Sequence, residues 1–207
     1  MKDKSLLLGM ACLVFVVFIW SLINPHDLFT WFLEVLPALL GIALLIITYP
    51  RFRLTSLLYV LIAFHAIILM VGGHYTYAEV PLFNWIRDIF QQSRNNYDKV
   101  GHFVQGFVPA IIVREILLRT SPLKAGKWLA VIVVSICLAV SALYELFEWQ
   151  VAIVTGTAAD AFLGSQGDMW DTQSDMGFAL IGSILALALL GSFHDRQLRN
   201  VGPETTA

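Results

Sequence analysis

Three short stretches of this chain concentrate the residue types that do acid–base or metal chemistry, each at helical spacing. In Tyr97-Asp98-Lys99-Val100-Gly101-His102-Phe103-Val104-Gln105, the residues Asp98, His102 and Gln105 fall at i, i+4 and i+7 and share one helix face. Glu145 and Glu148 in Tyr144-Glu145-Leu146-Phe147-Glu148-Trp149 form an i, i+3 pair, and Asp171 and Asp175 an i, i+4 pair, with Asp168 one repeat earlier. Carboxylates around a single histidine suit either oxygen ligation of a hard divalent cation or general acid–base work by carboxyl groups in unequal environments. The candidate catalytic residues are therefore Asp98, His102, Glu145, Glu148, Asp171 and Asp175, and the candidate metal ligands His102, Glu145, Glu148, Asp171 and Asp175. Other chemistries lack their patterns. There is no His-Glu-x-x-His, no Cys-x-x-Cys and no motif for an organic cofactor, and Gly164-Ser165-Gln166-Gly167 reads as a turn rather than a serine-nucleophile elbow.

Helix ends alone account for part of this pattern. Acidic residues and serine near a helix N-terminus cap exposed N–H groups and complement the dipole, which covers Asp98, Asp171, Ser174 and Asp175. Glu145 and Glu148 stand at a helix C-terminus, where the dipole opposes negative charge, and so require a partner. Lys99 and His102 supply two positive charges for five carboxylates in these pairs. Shared protons or a cation are then expected to balance the rest.

The elements that must position these residues are membrane spans. With 58% hydrophobic and 14% charged residues and a mean hydropathy of +0.75, the 207-residue chain lies outside the soluble range of roughly 45–50% apolar. Six apolar runs are long enough to cross a bilayer, at about 6–23, 28–49, 54–72, 101–118, 128–149 and 175–193. They predict an all-α membrane protein forming one polytopic domain over 1–207. The first run lacks a small-residue cleavage site and reads as a retained anchor. Cys12 and Cys137 lie within apolar runs and read as small hydrophobes. A segment at about 80–92 alternates Leu82, Phe83, Ile86, Ile89 and Phe90 with Asn84, Arg87, Asp88 and Gln91, the pattern of an amphipathic helix lying in the interface.

Charge bias orients the spans. Lys2, Lys4, Arg51, Arg53, Arg119, Lys124, Lys127, Arg196 and Arg199 fall on one side, against Arg87, Arg94 and Lys99 on the other. Both termini are therefore expected in the cytoplasm, with the three polar pairs at the periplasmic end. Arg114 is expected to snorkel to the cytoplasmic boundary, and Glu115 to pair with Arg119 at i+4. Glu34, one turn past Thr30, is placed near the outer pocket. No basic run suggests nucleic acid, and a midplane bare of ionisable groups except His65 disfavours a transporter.

The three motifs in this order resemble the YjdF family of bacterial inner-membrane proteins, with Gly164-Ser165-Gln166-Gly167-Asp168-Met169-Trp170-Asp171-Thr172-Gln173 carrying much of the likeness. The resemblance spans essentially the whole chain and implies inner-membrane localisation and topology. More distantly, the last three spans resemble the VanZ group, associated with glycopeptide resistance. Its Asp-Lys-x-x-His opening corresponds to Asp98, Lys99 and His102, and its glutamate to Glu145. Asp175 stands where that group carries asparagine. Two functional readings stay open. One is a periplasm-facing carboxylate/histidine site that acts on or binds an envelope lipid or cell-wall precursor, with a divalent cation as the candidate cofactor. The other is a non-catalytic structural or interaction component whose acidic residues cap helices, with the lipid bilayer as its surroundings in either case.

Overall fold

A computed structural model describes residues 2–156 and 160–200 of the chain. All regular structure among them is helical: α1 (Lys2–Leu22), α2 (Leu28–Thr48), α3 (Ser56–Tyr75), a 3-10 turn at Tyr77–Glu79, α4 (Pro81–Ile89), α5 (Tyr97–Thr120), α6 (Lys127–Thr155), a short α7 (Asp160–Leu163) and α8 (Asp171–Leu198). Six of these, α1, α2, α3, α5, α6 and α8, are long and apolar enough to span a membrane. In lipid the backbone must satisfy its own hydrogen bonds, so such runs become helices irrespective of local propensity.

Three helices outrun their apolar stretches. α5 begins at Tyr97 rather than Gly101, α6 continues to Thr155 past Trp149, and α8 begins at Asp171 rather than Asp175. The added turns of α5 and α8 are polar and carry Asp98, Lys99 and Asp171, whereas the α6 extension over 150–155 is largely apolar. α4 is shorter than the 80–92 expected from the sequence, since the chain turns at Phe90 and Gln91 takes a positive φ of 50°. Leu82, Trp85, Ile89 and Phe90 remain exposed along it, an apolar face turned away from the bundle.

α5 is the central helix: half of its apolar window is buried, against 6% for α1. It packs most closely on α8, and α6 lies against both, so the three form a triangle with the start of α5, the end of α6 and the start of α8 at one end. Glycine permits the α5–α8 approach. A Cβ on Gly106 would stand 1.9 Å from the Ala179 carbonyl oxygen, and one on Gly182 would stand 2.1 Å from the Phe103 carbonyl oxygen. α3 joins this triangle to α1 and α2. Its apolar contacts include Leu58 against Ile111, Val133 and Cys137, and Met70 against Trp31 and Val35. Between the first two helices Trp31 Nε1 donates to Ser21 Oγ at 3.1 Å. Asp27 caps α2, its Oδ1 accepting from the Thr30 N–H at 2.7 Å. That bond holds the Asp27 carboxyl below its ordinary value of 3.8.

Candidate functional site

The local start of α5 is built by a buried asparagine. Asn95 Oδ1 accepts from the Tyr97 N–H, while its amide donates to the Val80 carbonyl and to Asn84 Oδ1 of α4. The segment before α8 clamps the same backbone: Gln166 Oε1 accepts from the Asn95 N–H at 2.9 Å, and its amide donates to the Asn95 carbonyl at 2.8 Å. Gly164, Gln166 and Gly167 all take positive φ, which folds the Gly-Ser-Gln-Gly turn back over the start of α5.

Within this frame the structure brings one member of each polar pair to His102. Its Nε2 lies 3.3 Å from Asp98 Oδ1 and 3.9 Å from Asp175 Oδ2, and its Nδ1 lies 3.8 Å from Glu145 Oε1 and 2.9 Å from Gln105 Oε1. Lys99 Nζ bonds Asp171 Oδ1 at 2.6 Å and Asp175 Oδ1 at 2.7 Å, and stands 3.5 Å from Asp98 Oδ2. Asp98, Lys99, His102, Glu145, Asp171 and Asp175 are all buried. Glu148 is half-buried, with Glu145, His102 and Glu34 as its charged neighbours.

Arg94 is the residue the sequence reading left out. Its NH1 bonds Asp171 and reaches Asp168 Oδ2 at 3.4 Å, while its NH2 bonds Asp98 Oδ2 at 3.2 Å and the Gly164 carbonyl at 3.1 Å. The expected balance of two positive charges is thus corrected to three. Burial disfavours the Arg94 charge, and Asp171, Asp98 and Asp175 more than offset that, so its pKa is raised. The sequence signal was its i, i+4 spacing to Asp98, concealed because Arg94 precedes the helix. The aspartates do not act as side-chain N-caps: the N-cap positions are Asn96 for α5 and Trp170 for α8, and neither makes a side-chain cap bond. Asp168 sits at the rim, a third exposed, with Oδ1 accepting from the Trp170 N–H.

Glu34 of α2 reaches the same cluster. It is buried, it hydrogen-bonds Tyr77, and Asp98 and His102 are its charged neighbours. Tyr77 fits a slot between Gly72 and Gly101, where a Cβ would come within 2.3 Å and 2.7 Å of its ring. Burial, with Glu34 next to it, pushes the Tyr77 hydroxyl pKa well up, so it stays a donor.

The charges divide unevenly. Arg94 and Lys99 serve Asp98, Asp171 and Asp175, whereas Glu34, Glu145 and Glu148 have His102 as their nearest cation. Glu145 accepts from Thr172, yet its Oε1 is buried without a hydrogen-bond donor. Among the described residues, the side chains close enough to share one metal ion are Asp98, His102 and Asp175, whose ligand atoms lie within 4.8 Å of one another. Glu145, Glu148 and Asp171 fall outside that group. The fit to a divalent ion is poor as the side chains stand: the Lys99 ammonium already bridges Asp171 and Asp175, and both His102 nitrogens face oxygen acceptors.

The chain matches, over residues 6–196, the family described as "Predicted membrane protein (DUF2238)". It belongs to that family. It is also 49% identical over 200 residues to the inner membrane protein YjdF of Escherichia coli (strain K12), covering 96% of each chain. No solved structure matches it. Membership fits the six long apolar helices and makes this a multi-pass inner-membrane protein.

A second buried polar cluster occupies the opposite end of α5 and α8, and it corrects the expectation for Arg114. That side chain does not snorkel to the boundary: it is buried, with NH1 against His194 Nδ1 at 2.9 Å and NH2 against Asp195. His194 Nε2 in turn meets Glu115 Oε2 at 2.8 Å, and Glu115 also accepts from the Thr55 N–H and hydroxyl and from Arg119. The two nitrogens of one ring thus link sequence-adjacent side chains that point in different directions.

Proposed function

We propose that the protein binds the polar head of an envelope lipid or cell-wall precursor at the periplasmic face, with His102 and Glu145 turned towards the bound head. The observation that carries this reading is Glu145 Oε1: a carboxylate oxygen buried without a donor, 3.8 Å from His102 Nδ1, on the side where carboxylates outnumber cations. A buried acceptor of this kind favours a ligand hydroxyl or ammonium, which supplies the missing donor. His102 faces Asp98 with Nε2 and bonds Gln105 Oε1 with Nδ1, so it stands beside the open Glu145 oxygen without filling it. Orientation is part of the proposal and rests on the nine-to-three bias of Lys and Arg. A periplasm-dependent reporter inserted within 150–174 should be active and one fused after Arg199 silent; the reverse pattern overturns the assignment.

A purely structural role has its own observation: Arg94 and Lys99 satisfy the aspartates and tie the Gly164 turn to α5 and α8 without any ligand. Photo-crosslinking in cells separates the two. A photoreactive residue in place of Thr172, beside Glu145, should capture a lipid-linked or glycan-bearing molecule, and the same residue at Thr120 on the opposite end should not. Equal capture at the two positions, or none at either, favours the structural role.

A further inference from the structure

A second feature lies far from the polar cluster and is independent of the reading above. α1 and α2 both rest on α3 and meet near the site end, where Trp31 contacts Ser21 and Phe18. Towards the opposite end they diverge, leaving an apolar groove of about 640 Å³ floored by α3. Leu7, Leu8 and Ala11 line one wall, Tyr49 the other, and Tyr59 and Ala63 the floor. Inside a bilayer such a groove gains little from hydrophobic transfer, because lipid tails are as apolar as leucine. Any preference for one occupant must come from its polar mouth.

That mouth is basic. Lys4 stands at i−3, i−4 and i−7 from Leu7, Leu8 and Ala11, and so projects from the groove-lining face of α1. Arg51 follows Tyr49 by two residues, and the Arg53 guanidinium lies 5.2 Å from the centre of the Tyr49 ring. Lys4, Arg51 and Arg53 are exposed, and among the described residues none forms an ion pair with a carboxylate. We propose that this groove is a binding site for an acidic phospholipid, one acyl chain lying between α1 and α2 and the phosphate held by Lys4, Arg51 and Arg53. Clusters of basic residues at the ends of spans recognise anionic headgroups by this means.

The test is native mass spectrometry of the full-length protein released from nanodiscs containing equal phosphatidylglycerol and phosphatidylcholine. The wild type should retain phosphatidylglycerol in preference. Arg51→Gln and Arg53→Gln should each lower that retention about fivefold, Arg51→Lys should keep it, and Lys124→Gln, away from the groove, should not alter it. Leu8→Trp, at a lipid-exposed wall position that tolerates bulk, should fill the groove and lower retention of both lipids. No preference in the wild type, an equal loss with Lys124→Gln, or a Leu8→Trp protein that changes oligomeric state while keeping its lipid would overturn the proposal. The last result would make a second copy of the chain the occupant.

Discussion

Gly106→Ala should separate α5 from α8 and loosen the candidate site without touching any of its residues. The Cβ it introduces would stand 1.9 Å from the Ala179 carbonyl oxygen, whereas a carbon–oxygen contact settles at about 3.3 Å. The helices must therefore part by roughly 1.4 Å, since the obstacle is backbone and no rotamer change relieves it. Lys99 lies seven residues away, about 10 Å up the helix axis, and its 2.6 and 2.7 Å bonds to Asp171 and Asp175 cross the same interface. A shift of that size takes them beyond hydrogen-bonding distance unless the lysine stem follows. Overpacking of this kind costs about 1–3 kcal/mol. Denaturant unfolding of the purified protein in detergent reads that loss directly. Gly177→Ala, on the partner helix α8, is the control, because its Cβ meets nothing within 4 Å, and it should be neutral or stabilising by up to about 1 kcal/mol. If Gly106→Ala proves as stable as Gly177→Ala, the close α5–α8 contact is wrong, and with it the positioning argument.

Arg94→Gln leaves Asp171 and Asp98 with one cation fewer and should lower unfolding stability by about 3 kcal/mol, measured in the same denaturant assay, whereas loss of a loop charge with no buried partner would cost under about 0.5 kcal/mol. Asp27 provides a pH test. Its folded pKa is depressed by the Thr30 N–H, so its contribution is complete above the ordinary value of 3.8 and is lost as pH falls through the lower folded value. Stability of the wild type should decline there more steeply than that of Asp27→Asn, which caps without titrating, and Asp27→Ala should cost about 1 kcal/mol at neutral pH.

The spans were legible because a hydrocarbon core sets their length and excludes charge, as Ser56–Tyr75 illustrates. Hydropathy alone stops short of their polar ends, and it is the spacing of Asp98 with His102 and of Asp171 with Asp175 that carries α5 and α8 back to Tyr97 and Asp171. The i, i+4 and i, i+3 spacings placed Asp98, His102, Glu145 and Asp175 on common faces. Arg94 escaped notice because no periodicity applies to a residue outside a helix, and its partner Gly164 is 70 residues distant. Glu34 was placed near the cluster by height along α2, but its bond to Tyr77 depends on the glycine slot at Gly72 and Gly101, a feature of packing rather than of pattern. The adjacency of Arg114 and Glu115 suggested two separate anchors. Only the position of His194, on a helix 80 residues later, joins them.

The most direct test of the central claim is the mass of what the protein carries out of bacterial membranes. Native mass spectrometry of the wild type should find a bound headgroup-bearing molecule beyond the groove lipid. Glu145→Gln, which keeps size and shape but replaces the buried Oε1 carboxylate with a neutral amide, should lose that molecule while unfolding at the wild-type midpoint. Arg51→Gln and Arg53→Gln, at the other end of the bundle, should keep it. A Glu145→Gln protein that retains the same mass, or a wild type that carries nothing there, would contradict the account and leave the cluster as an ion-paired brace between α5 and α8.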